Sequence, residues 1–169
     1  MQRAIEQARR ALEEGEFPVG CVLVHRGAVI ADGRRAGSGR RRPDELEHAE
    51  IVALRNLNRL ADDIAREEIT LYSTMEPCMM CLGAIMLNRI GTVVYAYEDV
   101  MGGATGFPRR LLTPLYRDSP VEIIGPVLRE ESLALFQAFF RRPDNVYWRD
   151  SLLARYTLRQ SRPPEDGAN

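Results

Sequence analysis

Two short segments of this chain carry groups suited to metal-assisted hydrolysis. His48-Ala49-Glu50 brings an imidazole and a carboxylate, and Glu76-Pro77-Cys78-Met79-Met80-Cys81 brings two thiols three residues apart. Residues at that spacing share one helical face, and Pro77 stands where a helix would begin. At a helix start the unpaired N–H groups and the dipole favour the thiolate, the form that binds metal. Cysteine sulfur with histidine nitrogen is a zinc ligand set. The other histidine, His25, falls in an expected hairpin turn, which leaves His48, Cys78 and Cys81 as three protein ligands. A structural zinc is normally closed by a fourth protein ligand, whereas a three-ligand site keeps room for water and lowers its pKa to about 7. Three ligands therefore point to catalysis. Alone, a Cys-x-x-Cys pair also serves redox chemistry or a core, and His-x-Glu is common on helix surfaces; the combination carries the inference.

Glu50 follows His48 by two residues, a spacing that in mid-helix turns side chains to different faces. In a first turn side chains lean towards the helix start, so a helix end facing the metal would present both.

The elements that must position these groups are legible in the periodicity. Residues 2–14 place Ile5, Ala8 and Leu12 on one stripe, a helix that stops at Gly15. Phe17 to Val24 and Ala28 to Ala31 read as two strands of a hairpin. Gly33 to Pro43, rich in glycine and arginine, reads as an exposed loop. A helix over 47–60, a strand over 69–73, a helix over 78–88 and a strand over 92–97 follow. Beyond a glycine-rich turn at Gly102 to Gly106, the pattern predicts a helix over 109–116, a strand over 121–124 and helices over 129–140 and 148–159. Five strands alternating with helices after a hairpin argue for α/β architecture: three layers, α/β/α, about a mixed five-stranded central sheet. The expected divisions are a domain over 1–142, a helical extension over 143–160 and a disordered, Pro-rich acidic tail over 161–169.

The chain has 169 residues, 45% of them apolar, enough for one domain with a substantial core. It lacks the roughly eighteen-residue apolar run of a membrane span and a signal-like N-terminus, so a cytoplasmic protein is expected. Three cysteines cannot complete an even set of disulfides; Cys21, in a predicted strand, is read as core. There is no lysine, which excludes Schiff-base chemistry and a phosphate-loop lysine. A formal net charge of −1 advertises no nucleic-acid binder, although arginines cluster at 40–42, 109–110 and 141–142.

His48-x-Glu50 with Pro77-Cys78-x-x-Cys81 matches the known signature of zinc nucleobase deaminases. Over roughly residues 2–142 the chain resembles the cytidine deaminase superfamily, and within it the bacterial tRNA-specific adenosine deaminases. The residues that carry this likeness are 17–24 (FPVGCVLV), 71–85 (LYSTMEPCMMCLGAI) and 89–95 (RIGTVVY), which occur more loosely in guanine deaminases. The resemblance implies one zinc per subunit, hydrolysis of a ring amine to a carbonyl with Glu50 carrying the proton, backbone contacts to the base from Ala49 and Glu76, and a pocket wall at Val19. It also implies a homodimer and, at Phe139, Phe140, Arg141 and Arg142, a C-terminal helix beside a tRNA anticodon loop, where Phe140, Arg141 and Arg142 would contact RNA. The same residues equally suit a buried helix face that ends in dipole-complementing arginines.

The pattern departs from this likeness after the second strand. The family usually carries an asparagine there that contacts the nucleoside; Gly33-Arg34-Arg35-Ala36 has none, and no asparagine precedes Asn56. Three functions are thus weighed: adenosine-to-inosine conversion in tRNA, deamination of a free base or nucleoside such as guanine or cytosine, and a non-catalytic zinc-stabilised domain that binds RNA or protein. Glu50 counts against the last.

Overall fold

The computed structural model describes residues 1–60 and 64–160. The opening apolar stripe forms helix α1 (Gln2–Glu13), which buries Ala4, Ile5, Ala8 and Ala11. Strands β1 (Gly20–His25) and β2 (Ala28–Arg34) form a hairpin whose turn residues, Arg26 and Gly27, both have positive φ, the mirror-image turn that matches strand twist. Then come α2 (Ala49–Leu57), β3 (Ile69–Met75), α3 (Met79–Leu87), β4 (Thr92–Tyr97), α4 (Pro114–Arg117), β5 (Glu122–Ile124), α5 (Arg129–Phe140) and α6 (Leu152–Arg159).

The five strands form one sheet in the order β2-β1-β3-β4-β5. β1 is antiparallel to both β2 and β3, while β3, β4 and β5 run parallel, so the sheet is mixed, as the sequence implies. Two glycines let helices rest on it. A Cβ on Gly20 would stand 2.2 Å from the Ala4 carbonyl oxygen, and one on Gly33 would stand 2.3 Å from that of Ala49. Gly20 faces α1 and Gly33 faces α2; because Gly33 pairs with Cys21, these are opposite faces of the hairpin. The result is the three-layer α/β/α arrangement. An aromatic cluster anchors the α1 side: Phe17 lies 5.2, 5.3 and 5.9 Å, ring to ring, from Phe136, Phe139 and Phe140 of α5.

Several boundaries differ from those the sequence predicts, each for a local reason. The first strand starts at Gly20, not Phe17, because Pro18 has no N–H to donate and the Phe17 amide donates instead to Ser38 Oγ at 2.7 Å. α2 spans 49–57, since His48 keeps an extended backbone (φ −69°, ψ 147°) as its cap. The helix expected over 109–116 is a 3₁₀ turn (Arg109–Leu111) followed by α4, which starts afresh at Pro114. α6 starts at Leu152 rather than 148, where the Ser151 hydroxyl accepts from the Ala154 amide at 3.0 Å. The loop after β2 is not wholly exposed: Arg35 and Ser38 are each 2% exposed. The tail expected to be disordered, 161–169, lies outside the described residues. No described helix is long and apolar enough to cross a membrane.

Candidate active site

β1 begins, and β2, β3 and β4 end, at one edge of the sheet. Two helices start there. His48 caps α2 and Cys78 caps α3, each with an extended backbone, and Cys81 lies one turn into α3. As a cap, His48 escapes the helical phase that would turn it away from Glu50, and this resolves the spacing of two residues.

The three ligand atoms lie within 4.8 Å of one another. His48 Nδ1 is 3.7 Å from Cys78 Sγ and 3.5 Å from Cys81 Sγ. Tetrahedral zinc with bonds of about 2.3 Å to sulfur and about 2.1 Å to nitrogen separates such atoms by roughly 3.6 Å, so the donor set fits zinc in kind and in spacing. The thiols are unequal. The hydrogen bond from Cys81, aided by His48, brings Cys78 down to about 4, while the same contact and burial push Cys81 far up. The inequality favours the thiolate form at Cys78.

Glu50, second residue of α2, is 3% exposed. Its Oε1 accepts from the Ser73 hydroxyl at 3.0 Å, and its Oε2 lies 3.6 Å from Cys81 Sγ. Burial pushes the carboxyl above its ordinary range. A carboxylate held beside the ligand cluster by a hydrogen bond to one oxygen can exchange a proton through the other.

Beside the cluster opens a pocket whose lining includes His48, Glu50 and Cys78 together with Val19, Ala49 and Glu76, the three residues that the resemblance assigns to contact with the base. The Glu76 carboxylate accepts from the amides of Asp99 and Thr105 at 3.1 and 3.0 Å, tying the glycine-rich turn to the site. Cys21 is fully buried in the core, and His25 contacts Glu68 at 3.2 Å by the hairpin turn; neither joins the cluster.

The proposed RNA contacts fare differently. Phe140 is 8% exposed and packs on Phe17 and Phe139, so its face is not open to a base; the buried-face reading is correct for both phenylalanines. Arg142 donates to the Leu12 carbonyl at 3.2 Å and to Asp144 at 3.4 Å. Only Arg141 of the three is exposed.

Sequence reasoning assigned no site role to Phe17, Arg35, Met75, Asp99, Tyr147 and Trp148, all of which line the pocket. Arg35 stands where the asparagine was missed. Its guanidinium donates to the carbonyls of Ala36, Asp44 and Glu47 and to the Glu45 carboxylate and Tyr147 hydroxyl. An arginine directly after a strand, followed nine to twelve residues later by acids at 44, 45 and 47, was the available signal.

The family model described as the cytidine and deoxycytidylate deaminase zinc-binding region matches residues 1–97. A tRNA-specific adenosine deaminase of Bacillus subtilis is 36% identical over 141 residues, covering 83% of this chain and 86% of the relative. One from Haemophilus influenzae is 35% identical, covering 84% and 82%. Among solved structures, one from a study of A-to-I editing by tRNA:A34 deaminases at the wobble position superposes with a TM-score of 0.67 at 34% identity, over 80% of this chain and 96% of that one. A guanine deaminase from Nitrosomonas europaea shares the fold, with a TM-score of 0.63 at 22% identity over 82% and 81%.

Proposed function

Since the chain belongs to the cytidine and deoxycytidylate deaminase family and is a zinc-dependent deaminase, we propose that its substrate is adenosine in a tRNA anticodon loop, that the product is inosine, and that Glu50 carries the proton. One observation carries the mechanism: the Glu50 carboxylate is buried, held by Ser73, and in contact with the ligand cluster. Zinc held by His48, Cys78 and Cys81 would supply Lewis acidity towards water.

The residues of the chain do the rest. Glu50 takes a proton from the attacking water, delivers it to the ring nitrogen, and then shuttles the second proton to the departing amine. A C–O bond forms, the exocyclic C–N bond breaks, and ammonia leaves. The reaction adds water and needs no oxidant. In this reading Val19 closes one side of the pocket and the backbones of Ala49, at the first position of α2, and Glu76 bind the base edge; it is supported by all three lining the pocket. Access to a loop base requires that it be turned out of its stack. The tRNA assignment rests on the adenosine deaminase relatives and on exposed arginines at 40–42 and 141. We place the enzyme in the cytoplasm and read it as a homodimer. Met79 and Leu87 of α3, 48% and 53% exposed, line an apolar groove with Leu112 and Tyr116, a face suited to a second copy.

A second reading, deamination of a free purine such as guanine, is favoured by Arg35. Its donors are spent on the protein, so it does not replace the absent nucleoside-binding asparagine. The deciding experiment offers zinc-loaded protein an anticodon stem-loop with adenosine in the wobble position beside free bases and nucleosides, and follows inosine and ammonia by mass spectrometry. Inosine in the stem-loop is expected; turnover of a free base alone would replace the first reading with the second.

A further inference from the structure

Trp148 is the one tryptophan of the chain. It follows the segment that carries the family resemblance, yet it lines the pocket with the metal ligands. Its neighbour Tyr147 is the anchor. The Tyr147 ring is 7% exposed and 5.5 Å from Phe17; its hydroxyl donates to Glu45 at 2.9 Å and accepts from Arg35, while its amide donates to Asn145 Oδ1 at 2.9 Å. Trp148 is held otherwise. Its indole is 39% exposed, touching Tyr147 at 5.6 Å, and its backbone is in the left-handed region at φ +55°.

A bulky aromatic disfavours that conformation, and such residues persist where the surroundings enforce them and often where function uses them. The aromatics with a purely structural part, Phe136 and Phe139, are 0% and 3% exposed. Trp148 instead keeps part of its ring uncovered while lining the pocket beside His48, Glu50 and Cys78. We propose that Trp148 is a substrate-binding stacking surface for the base that enters the pocket, and that Arg35, Glu45 and Tyr147 are positioning residues that hold it there. Stacking reads the flat face of any purine and so supplies binding that the absent asparagine would have given through the sugar. The inference rests on the deaminase reading for its ligand class but not on whether the base arrives in RNA.

A lone tryptophan makes the test direct, because its emission reports only this position. Purine riboside, which has no amine to lose, and the adenosine stem-loop are titrated separately into zinc-loaded protein. Saturable quenching by the ligand that the enzyme accepts is expected. Trp148→Ala should raise KM about tenfold, the scale of one lost base–aromatic stack, with kcat changed less than about twofold, and Trp148→Phe should restore KM. Unquenched emission, unchanged KM in Trp148→Ala, or a loss confined to kcat would overturn the stacking role. If free purines quench and turn over while the stem-loop does neither, the tRNA reading fails and the stacking stands. If Trp148→Ala edits the stem-loop with wild-type KM, the stacking fails and the tRNA reading stands.

Discussion

Glu50 and the metal ligands sit within a few ångströms of each other yet divide the work, and substitution should separate them. Glu50→Gln keeps the shape of the side chain and can still accept from Ser73, but it cannot carry a proton. Zinc content should stay at one per chain while kcat falls about 10²- to 10⁴-fold, the range of positioned acid–base catalysis; metal analysis beside a turnover assay checks both. Full activity in that variant would remove Glu50 from the mechanism. Cys81→Ser should behave oppositely, losing zinc and activity together, because a buried hydroxyl is a poor substitute for thiolate. The ligands were legible from sequence because donor softness, spacing, a helix-start position and the lack of a competing histidine select them together. The placement of Glu50 was not, since it depends on His48 being a cap with extended backbone rather than a residue of α2. Arg35 escaped for a related reason: arginines amid glycines read as solvated, and only the fold shows five acceptors converging on one guanidinium.

At the scale of elements, the start of α2 is fixed by contact rather than by its own propensity. Gly33 lets the backbone of Ala49 and Ala53 press on β2, with a Cβ at position 33 only 2.3 and 2.6 Å from their backbone atoms. Gly33→Ala should therefore force α2 outward, cost about 1–3 kcal/mol of stability, and weaken zinc retention although the residue touches no ligand. Denaturant unfolding and zinc release to a chelator measure the two effects; unchanged zinc affinity would show that α2 can shift without moving His48. The strand–helix alternation was readable because its periods differ. Its boundaries were not, as they turned on Pro18, Pro114 and Ser151, where a missing donor or a side-chain cap overrides periodicity.

For the whole molecule, the exposed apolar face of α3 and α4 predicts the oligomeric state. Leu87→Arg combined with Met79→Arg should leave a monomer in light scattering in place of the proposed dimer, with the fold kept because both side chains are exposed. A wild-type protein that is monomeric at micromolar concentration would end that reading. Removing zinc with a chelator should lower the melting temperature as well as abolish turnover, since ligands from two helices lose the ion that joins them. No sequence period marked this face; its residues come from α3, the C-cap of a 3₁₀ turn and α4, and only folding makes them contiguous.

The tie between Arg35 and Tyr147 is also the costlier of the site's two closures. It closes a loop of 112 residues, whereas the contact between His48 and Cys81 closes one of 33. By chain entropy the longer closure costs about 1 kcal/mol more, and it needs a segment synthesised near the end. The ligand cluster is thus the cheaper contact to close and the last wall of the pocket the dearer one, so a change that undocks Tyr147 should open the pocket while leaving His48, Cys78 and Cys81 together.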